Sequence, residues 1–403
     1  MSHTPGKNPY RPGVGLKPRI LAGREREMRR FELGLRSAPE IPLNVRLTGL
    51  RGVGKTVLLH ELDDIARKAN WATTFKELEP RHNFEEDCLK TLLALLDDTK
   101  RRLSTVEKLK AGAGAAASAL GVLAIKYQDV ELKFDLPDGR RERDLAAALF
   151  EVATLAERQG SGGYVLLLDE AQVLRDTPSD AEYPLSLLLA AVTAVQKLQA
   201  PVVLVLSGLP PLTSHLLKAR SYSERMFRGE EIGSLGLDDA RSAFAGPLLG
   251  TGVDATETLI TRVLDTVQGY PYFIQLWGAE LWDAAEQAGT STFTPELLDA
   301  VQPLIYRRLD NDFYEPRFQT ATPAEQDLLM LAAKCPYPPL RVAELQHTTT
   351  KTPGNVNVLL GRLVEAGVLY RLRKGEYAYT APQFEDYLGR RTGMSAAQTS
   401  TRP

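Results

Sequence analysis

A glycine-rich stretch that ends in a lysine and a threonine has the residue types needed to hold a polyphosphate. Gly49–Thr56 reads Gly-Leu-Arg-Gly-Val-Gly-Lys-Thr and fits the spacing G-x-x-x-x-G-K-[ST]. Glycines let the backbone turn tightly, so successive N–H groups can face one anion, and a following helix adds the positive end of its dipole. We expect Lys55 to neutralise the β- and γ-phosphates of ATP and the Thr56 hydroxyl to ligate Mg²⁺. The predicted nucleotide-binding residues of this loop are Gly49, Arg51, Gly52, Val53, Gly54, Lys55, Thr56 and Val57.

Two carboxylates follow an apolar run about 115 residues further along the chain. Tyr164–Leu168 leads directly into Asp169 and Glu170. A strand that ends in two acids places them in the crevice beyond the sheet edge, where ligands bind. We expect Asp169 to hold Mg²⁺ through its water shell, and Glu170 to orient and deprotonate the attacking water. Acids are also common at helix N-termini, but the upstream phosphate loop favours the catalytic interpretation.

A polar residue ends a second apolar run. Val202–Leu206 is followed by Ser207, and we expect this strand to lie between the strand before the phosphate loop and the acidic strand, so that its end faces the γ-phosphate. A hydroxyl at that point can hold the attacking water, although a serine before Gly208 can also simply begin a turn. The sequence therefore predicts three catalytic side chains from the residues alone, namely Lys55, Glu170 and Ser207.

Apolar runs of strand length alternate with helical patterns in the first part of the chain. Leu43–Thr48, Tyr164–Leu168 and Val202–Leu206 are such runs. This alternation predicts an α/β fold with a parallel sheet buried on both faces. Beyond Ile232 the strand patterns largely stop, so a helical region and a small third domain are expected to follow.

Composition excludes several protein classes. The 403 residues carry a net charge of −2 and are 43% hydrophobic, which is typical of a soluble globular protein without a global positive field. Cys88 and Cys335 lie far apart, which argues against a thiolate metal site or a disulfide scaffold. Met1–Lys17 lacks the apolar core of a signal peptide, and no run reaches the length of a membrane-spanning helix. We therefore expect a cytoplasmic protein with no membrane partner.

The phosphate loop, the acidic strand end and the polar strand end together resemble the additional-strand P-loop ATPases, which include the AAA+ and STAND classes. Leu21–Glu27 is similar to the "GRExE" segment before the P-loop of origin-recognition-type AAA+ and STAND ATPases. In those families the segment lines the adenine pocket, which implies such a role for Gly23 and Arg24. Together the motifs cover roughly residues 20–290.

Two further matches concern a contact across a subunit interface and a contact from the helical lid domain of these families. Ser223–Ile232 is similar to the segment before the fifth strand in these families, which implies Arg225, or as second choice Arg228, as an arginine finger. A plain surface arginine is the alternative. Gly269-Tyr270-Pro271 resembles the G-x-P motif of STAND lids, which implies Pro271 beside the nucleotide. Initiator ATPases usually carry a lid arginine here, but Gly269–Trp277 contains none, so we expect this lid to sense nucleotide through packing.

Three predicted helices and a hairpin in the C-terminal part resemble a winged helix-turn-helix domain. Asn355–Ala366 is the third helix, and Val368–Leu372 and Glu376–Thr380 flank a basic tip. The resemblance implies that the third helix enters the major groove of DNA while the wing touches the backbone. The implied DNA contacts are Lys351, Asn355, Asn357, Arg362, Arg371, Arg373 and Lys374.

The charge of this region argues against a strong DNA binder. Pro323–Arg391 contains nine Lys or Arg and seven Asp or Glu, a net charge of +2. Phosphate neutralisation supplies much of the affinity for DNA, so strong binders concentrate more positive charge. Winged helices in such ATPases also serve as packing or oligomerisation modules, and both interpretations stay open.

The predicted fold is a parallel-sheet P-loop NTPase core, AAA+ or STAND-like, followed by an all-α lid and a winged helix-turn-helix domain. The predicted function is a slow, Mg²⁺-dependent ATPase switch that couples nucleotide state to homo-oligomer or partner assembly, on double-stranded DNA. A STAND-like regulatory ATPase with protein contacts is the alternative, and a module that retains ATP without useful hydrolysis is a third possibility. The predicted segments are a leader at 1–19, an ATPase domain at 20–235 with an insertion at about 104–139, a lid at 236–315, a winged helix at 316–391 and a mobile tail at 392–403.

Overall fold

The computed structural model describes residues 7–13, 15–105 and 140–393. Most of the predicted insertion at 104–139, most of the tail at 392–403 and part of the leader at 1–19 lie outside the described residues. The chain forms two compact units. The sheet unit comprises the described parts of Arg24–Gly49 and Lys55–Ile232, and the helical unit comprises those of Met1–Gly23, Leu50–Gly54 and Gly233–Pro403.

A parallel five-stranded sheet forms the centre of the sheet unit. Its order is β2-β3-β4-β1-β5, and every neighbouring pair is parallel. The strand after the acidic pair therefore lies between the P-loop strand and the acidic strand, as the sequence analysis predicted. The strands are β1 Asn44–Thr48, β2 Ala72–Glu77, β3 Tyr164–Asp169, β4 Val202–Gly208 and β5 Arg228–Glu231.

Apolar composition explains why β3 and β4 occupy the middle of the sheet. Every residue of both strands is buried, which is the pattern of parallel strands covered on both faces. The helix at Pro184–Lys197 is likewise almost wholly buried, because small and aliphatic residues occupy nearly all its positions. The helices of this unit are α1 Glu25–Ser37, α2 Lys55–Lys68, α3 at 85–105, α4 Arg140–Arg158, α5 Pro184–Lys197, α6 Pro211–Ala219 and α7 Ser223–Met226.

The register of the three central strands brings their carboxyl ends to one edge. Thr48 of β1 pairs with Gly208 of β4, and Leu168 of β3 pairs with Leu206. The Gly49 N–H donates a hydrogen bond to the Gly208 carbonyl oxygen at 3.3 Å. The residues that follow each strand are therefore neighbours.

The first part of the helical unit is a group of helices interrupted by one small strand pair. The sequence predicted a largely helical region here, without the strand pair and without the π-helix at Leu309–Tyr314 that follows the helix Pro295–Arg308. A two-residue strand is too short to show a period, which explains why the pair was not predicted. The elements are α8 Leu237–Ala245, β6 Asp254–Ala255, α9 Glu257–Val267, α10 Pro271–Ala288, β7 Thr292–Phe293, α11 Pro295–Arg308 and α12 Glu315–Gln319.

The last part of the helical unit contains the three predicted helices and the predicted hairpin. A third short strand, not predicted, extends the hairpin to an antiparallel sheet of order β8-β10-β9. One continuous apolar core runs from Ala240 to Leu388, so the finer division at 315/316 stays a prediction. The elements are α13 Pro323–Ala332, β8 Leu340–Arg341, α14 Val342–Thr348, α15 Pro353–Glu365, β9 Leu369–Arg373, β10 Glu376–Tyr379 and α16 Phe384–Arg391.

Among the described residues, no helix is both long enough and apolar enough to cross a lipid bilayer.

Candidate active site

The glycine-rich loop joins β1 to α2 and contains two left-handed glycines. Gly52 has φ 81° and Gly54 has φ 88°, a region that residues with a side chain rarely adopt. At Gly52 a Cβ would also lie 3.2 Å from the Tyr272 Cβ, so the position leaves little room for a side chain. Lys55 is the first residue of α2 and is buried. The loop thus places a lysine at a helix N-terminus after a tight turn, which is the arrangement that phosphate binding requires.

Thr56 and Asp169 meet although 113 positions separate them in the chain. The Thr56 hydroxyl donates a hydrogen bond to Asp169 Oδ2 at 2.6 Å. The other carboxylate oxygen, Oδ1, accepts a hydrogen bond from the Glu170 N–H at 2.9 Å. Asp169 is only 2% exposed, so these bonds fix its orientation. Hydroxyl and carboxylate oxygens are hard ligands suited to Mg²⁺, and these two side chains fit a magnesium site beside the phosphate loop.

Glu170 adopts an unusual backbone conformation at the end of β3. Its φ of 53° and ψ of 32° lie in the left-handed region, which costs energy for a residue other than glycine and is frequent at functional sites. Gln172 Nε2 donates a hydrogen bond to Glu170 Oε2 at 2.5 Å, and Gln172 Oε1 accepts one from the Leu209 N–H at 2.9 Å. Gln172 therefore ties the predicted general base to the end of β4.

No sequence motif indicates a role for Gln172. Its only signal is its place two residues after Glu170 in the acidic segment. The partner Leu209 lies 37 residues further on, and no local pattern joins the two. Only the neighbouring positions of β3 and β4 in the folded sheet reveal the connection.

Ser207 lies at the end of β4 and is completely buried. Within the part of the chain that the structure describes, its Oγ has no hydrogen-bond partner. A buried hydroxyl without a partner is costly, and each such group in a folded protein calls for an explanation. A polar ligand atom at the carboxyl edge of the sheet would satisfy it.

The predicted adenine-pocket residues, Gly23 and Arg24, lie immediately before α1. Gly23 has φ 69°, and a Cβ there would lie 2.7 Å from Asp239 Oδ2 of the helical unit. Arg24 is buried immediately before α1, and its carbonyl oxygen accepts the Met28 N–H at 3.1 Å. Their contact with adenine stays a prediction.

Residues Leu50–Gly54 of the phosphate loop belong to the helical unit. Two other segments of that unit form hydrogen bonds with them. Pro271 begins α10, and the N–H of the next residue, Tyr272, donates to the Gly52 carbonyl oxygen at 3.1 Å. The Arg51 N–H donates to the Thr380 carbonyl oxygen at 3.2 Å. The structure therefore places both the G-x-P segment and Thr380 in contact with the phosphate loop.

The candidate arginine finger lies on the surface of the sheet unit. Arg225 is exposed on α7, and Arg228 is exposed at the start of β5. Neither forms an ion pair with a described residue. Exposure suits both a contact to another subunit and an ordinary surface arginine, so the arginine finger stays a prediction.

The candidate DNA contacts are all exposed except Lys351, which is half-buried. Arg373 differs from the others because its Nε lies 2.6 Å from Glu376 Oε2 and its Nη2 donates to Oε1 at 2.8 Å. This two-point ion pair partly offsets the charge of the guanidinium at the tip of the hairpin. The exposed candidates are Asn355, Asn357, Arg362, Arg371, Arg373 and Lys374.

Comparison with known proteins bears on the fold. Residues 20–206 match the family model described as the AAA ATPase domain. The Walker-type ATPase PABY2304 of Pyrococcus abyssi superposes with a TM-score of 0.52 at 17% identity, over 91% of this chain and 96% of that one. The fold is that of a P-loop AAA+ ATPase.

Other comparisons extend this result. The Aeropyrum pernix ORC2 protein, solved with ADPNP and ADP, superposes with a TM-score of 0.53 at 12% identity, over 97% of this chain and 98% of that one. Residues 311–388 match a family described as a domain of unknown function, DUF8462. No curated protein sequence matches the chain. The AAA+ prediction is thus confirmed at the level of the fold, while the STAND assignment and the winged helix stay predictions.

Proposed function

We propose that this chain binds and hydrolyses ATP with the help of Mg²⁺. The observation that carries the proposal is the hydrogen bond of 2.6 Å between the Thr56 hydroxyl and Asp169, with Glu170 as the next residue. Thr56, the predicted magnesium ligand of the phosphate loop, is thus a direct neighbour of Asp169, the predicted acid at the strand end. A chance glycine-rich turn would not bring them together.

Each side chain has a role that follows from its chemistry. Lys55 places a positive charge at the phosphates, and the loop amides donate hydrogen bonds to them. Thr56 and Asp169 would hold Mg²⁺, which neutralises phosphate charge when it is bound. Glu170 accepts the proton of the attacking water, and the Ser207 hydroxyl holds that water in place. Gln172 orients the Glu170 carboxylate through its hydrogen bond.

Two substitutions test this assignment. Lys55→Ala removes the charge at the phosphates and should abolish ATP binding or weaken it severely, as measured by equilibrium titration with a fluorescent nucleotide. Glu170→Gln keeps the shape of the side chain but removes the base, so it should bind ATP like the parent and lose turnover by about 100-fold or more. Lys68→Ala and Glu157→Gln, at exposed positions, are matched controls. Turnover by Glu170→Gln at the parent rate would contradict the assignment of the base.

We further propose that nucleotide state controls the C-terminal part of the chain, which we interpret as a winged helix. Three helices followed by a β-hairpin support that interpretation. The hydrogen bond from the Arg51 N–H to Thr380 gives the phosphate loop a direct contact with the segment after β10. A change in the loop on loss of the γ-phosphate would therefore reposition this part of the chain. Assembly on duplex DNA, with Arg225 reaching a neighbouring subunit, is the output we propose.

The alternative output is a STAND-like contact with protein. The ion pair between Arg373 and Glu376 favours it, because Glu376 competes with a DNA backbone for one of the exposed arginines. The G-x-P segment at Gly52 and the lack of an arginine in Gly269–Trp277 also fit the STAND pattern.

A further inference from the structure

A groove on the sheet unit has an apolar floor and an arginine rim. It encloses about 560 Å³ between the C-terminal half of α1, the start of β1 and the segment that leads from α7 into β5. All the residues that line it belong to the sheet unit. On its floor Leu33 is 51% exposed and Ile41 is 69% exposed. Large apolar side chains that are exposed together in one groove indicate a surface that contacts another molecule.

The charge of the rim indicates what kind of molecule fits. The described residues that line the groove include three arginines and no acid. Arg30 pairs with Glu230 at 3.1 Å, whereas Arg225 and Arg228 form no ion pair with a described residue. Guanidinium groups bind carboxylates through paired hydrogen bonds in one plane. The groove therefore suits an extended segment that carries carboxylates beside apolar side chains.

One stretch of this chain has that chemistry. Residues 129–136, which lie outside the described residues, read Asp-Val-Glu-Leu-Lys-Phe-Asp-Leu, so polar and apolar side chains alternate. Three acids and one lysine give the stretch a net charge of −2. Successive side chains of an extended peptide point to opposite sides. Bound in that form, the apolar side chains would meet the floor of the groove, and the acids would lie level with its rim.

The groove of the same copy is out of reach of this stretch. α4 begins at Arg140, near the carboxyl edge of the sheet, because Arg141 pairs at 2.8 Å with Glu85, which follows the carboxyl end of β2. The groove lies at the amino edge, where Arg228 pairs with Val45. It is about 17 Å away along the strands and about 14 Å away across the sheet from β3. The four residues up to the start of α4 span at most about 14 Å.

We propose that residues 129–136 of one copy bind in the groove of a second copy. Each copy carries one such stretch and one groove at different places, so the contact joins copies head to tail. Arg225 then reaches a neighbouring subunit, as in the proposed function, but its partner there is a carboxylate. The contact needs no nucleotide and is independent of the proposed ATP hydrolysis.

Two charge reversals in the full-length chain test this contact. The segment variant carries Asp129→Lys, Glu131→Lys and Asp135→Lys. The groove variant carries Arg225→Glu and Arg228→Glu. Either variant places like charges opposite each other, whereas the swapped variant, which carries all five substitutions, restores opposite charges.

The first measurement titrates a fluorescent synthetic peptide of residues 126–138 into the segment variant, whose own stretch cannot compete for the groove. The peptide should bind, and the swapped variant should bind it about tenfold more weakly or less, because its rim is acidic. Lys68→Glu with Lys218→Glu, an exposed pair in the same unit, should change the affinity by less than about twofold. Equal binding by the swapped variant, or equal binding of a peptide of the same composition without the alternation, would overturn the proposal.

The second measurement is sedimentation velocity without nucleotide. The parent should self-associate, and the segment and groove variants should each associate about tenfold more weakly or less. The swapped variant should recover the association of the parent to within about threefold, which a merely misfolded variant could not do. A parent that stays monomeric, or a swapped variant no better than the single reversals, would overturn the proposal. Both results would leave the proposed ATPase function unaffected, because neither measurement contains nucleotide.

Discussion

At the scale of single residues, the site depends on side chains whose geometry is fixed by their neighbours. Glu170 sits in a left-handed conformation, and Gln172 bonds both to its carboxylate and to the Leu209 N–H. A carboxylate that must face a water molecule gains from such a restraint, because catalysis depends on a geometry set before the reaction begins. We therefore propose that Gln172 positions the predicted base Glu170 and is not itself a base.

This role predicts the effect of replacing Gln172 with methionine, which has a similar length but no amide. Turnover should fall by about tenfold, because the Glu170 carboxylate loses its restraint, while ATP affinity should stay within about twofold of the parent. Steady-state kinetics together with equilibrium nucleotide titration would show this difference. Parent-like turnover would mean that the hydrogen bond from Gln172 has no part in catalysis, and an equal loss of affinity would indicate damage to the whole site.

At the scale of elements, the features that depend on nearby residues, such as buried strands and helix ends, can be predicted from the sequence. The wholly apolar runs in β3 and β4 indicated buried parallel strands, and both are fully buried. Thr322 lies three residues before Glu325, which is the spacing of a capping box, and the two residues form that box. A glycine after a helical pattern indicates the end of a helix, and Gly367 follows α15 with φ 70°. In each case the signal lies within a few residues of the feature.

Elements that depend on distant partners were not predicted. β8 is two residues long and exists because Leu340 and Arg341 pair with β10. The π-helix at Leu309–Tyr314 packs Phe313 against Tyr272, and its sequence carries no period that distinguishes it from the end of α11. The same limit applies to the site, since the phosphate loop and the acidic pair were recognised from motifs, whereas Gln172 was not.

At the scale of the whole molecule, the proposal joins nucleotide state to an output in the C-terminal part of the chain. The phosphate loop residues Arg51 and Gly52 bond to Thr380 and Tyr272 of the helical unit. These backbone contacts cannot be predicted from sequence, because any residue type can make them. In the proposed function they are the contacts through which the loop would affect the C-terminal part.

DNA binding is the output that can be tested directly. In a filter-binding titration at low salt with Mg·ATP, the parent should retain duplex DNA, and Arg371→Ala with Lys374→Ala should weaken retention by removing two exposed charges. Arg373→Ala should have the smaller effect, because its charge is already paired with Glu376. If the parent retained no duplex DNA under these conditions, the DNA-binding proposal would fail and the protein-contact alternative would be favoured.

The coupling between Mg²⁺ and ATP binding tests the shared site of Thr56 and Asp169 most directly. ATP affinity should be measured with Mg²⁺ and with EDTA, in the parent and in Asp169→Asn, with Asp180→Asn as an exposed control. We expect Mg²⁺ to raise the ATP affinity of the parent and the control by about tenfold or more, and this gain to be largely lost in Asp169→Asn. An equal gain in Asp169→Asn and the parent would contradict the account, because the cation would then bind away from the hydrogen-bonded pair.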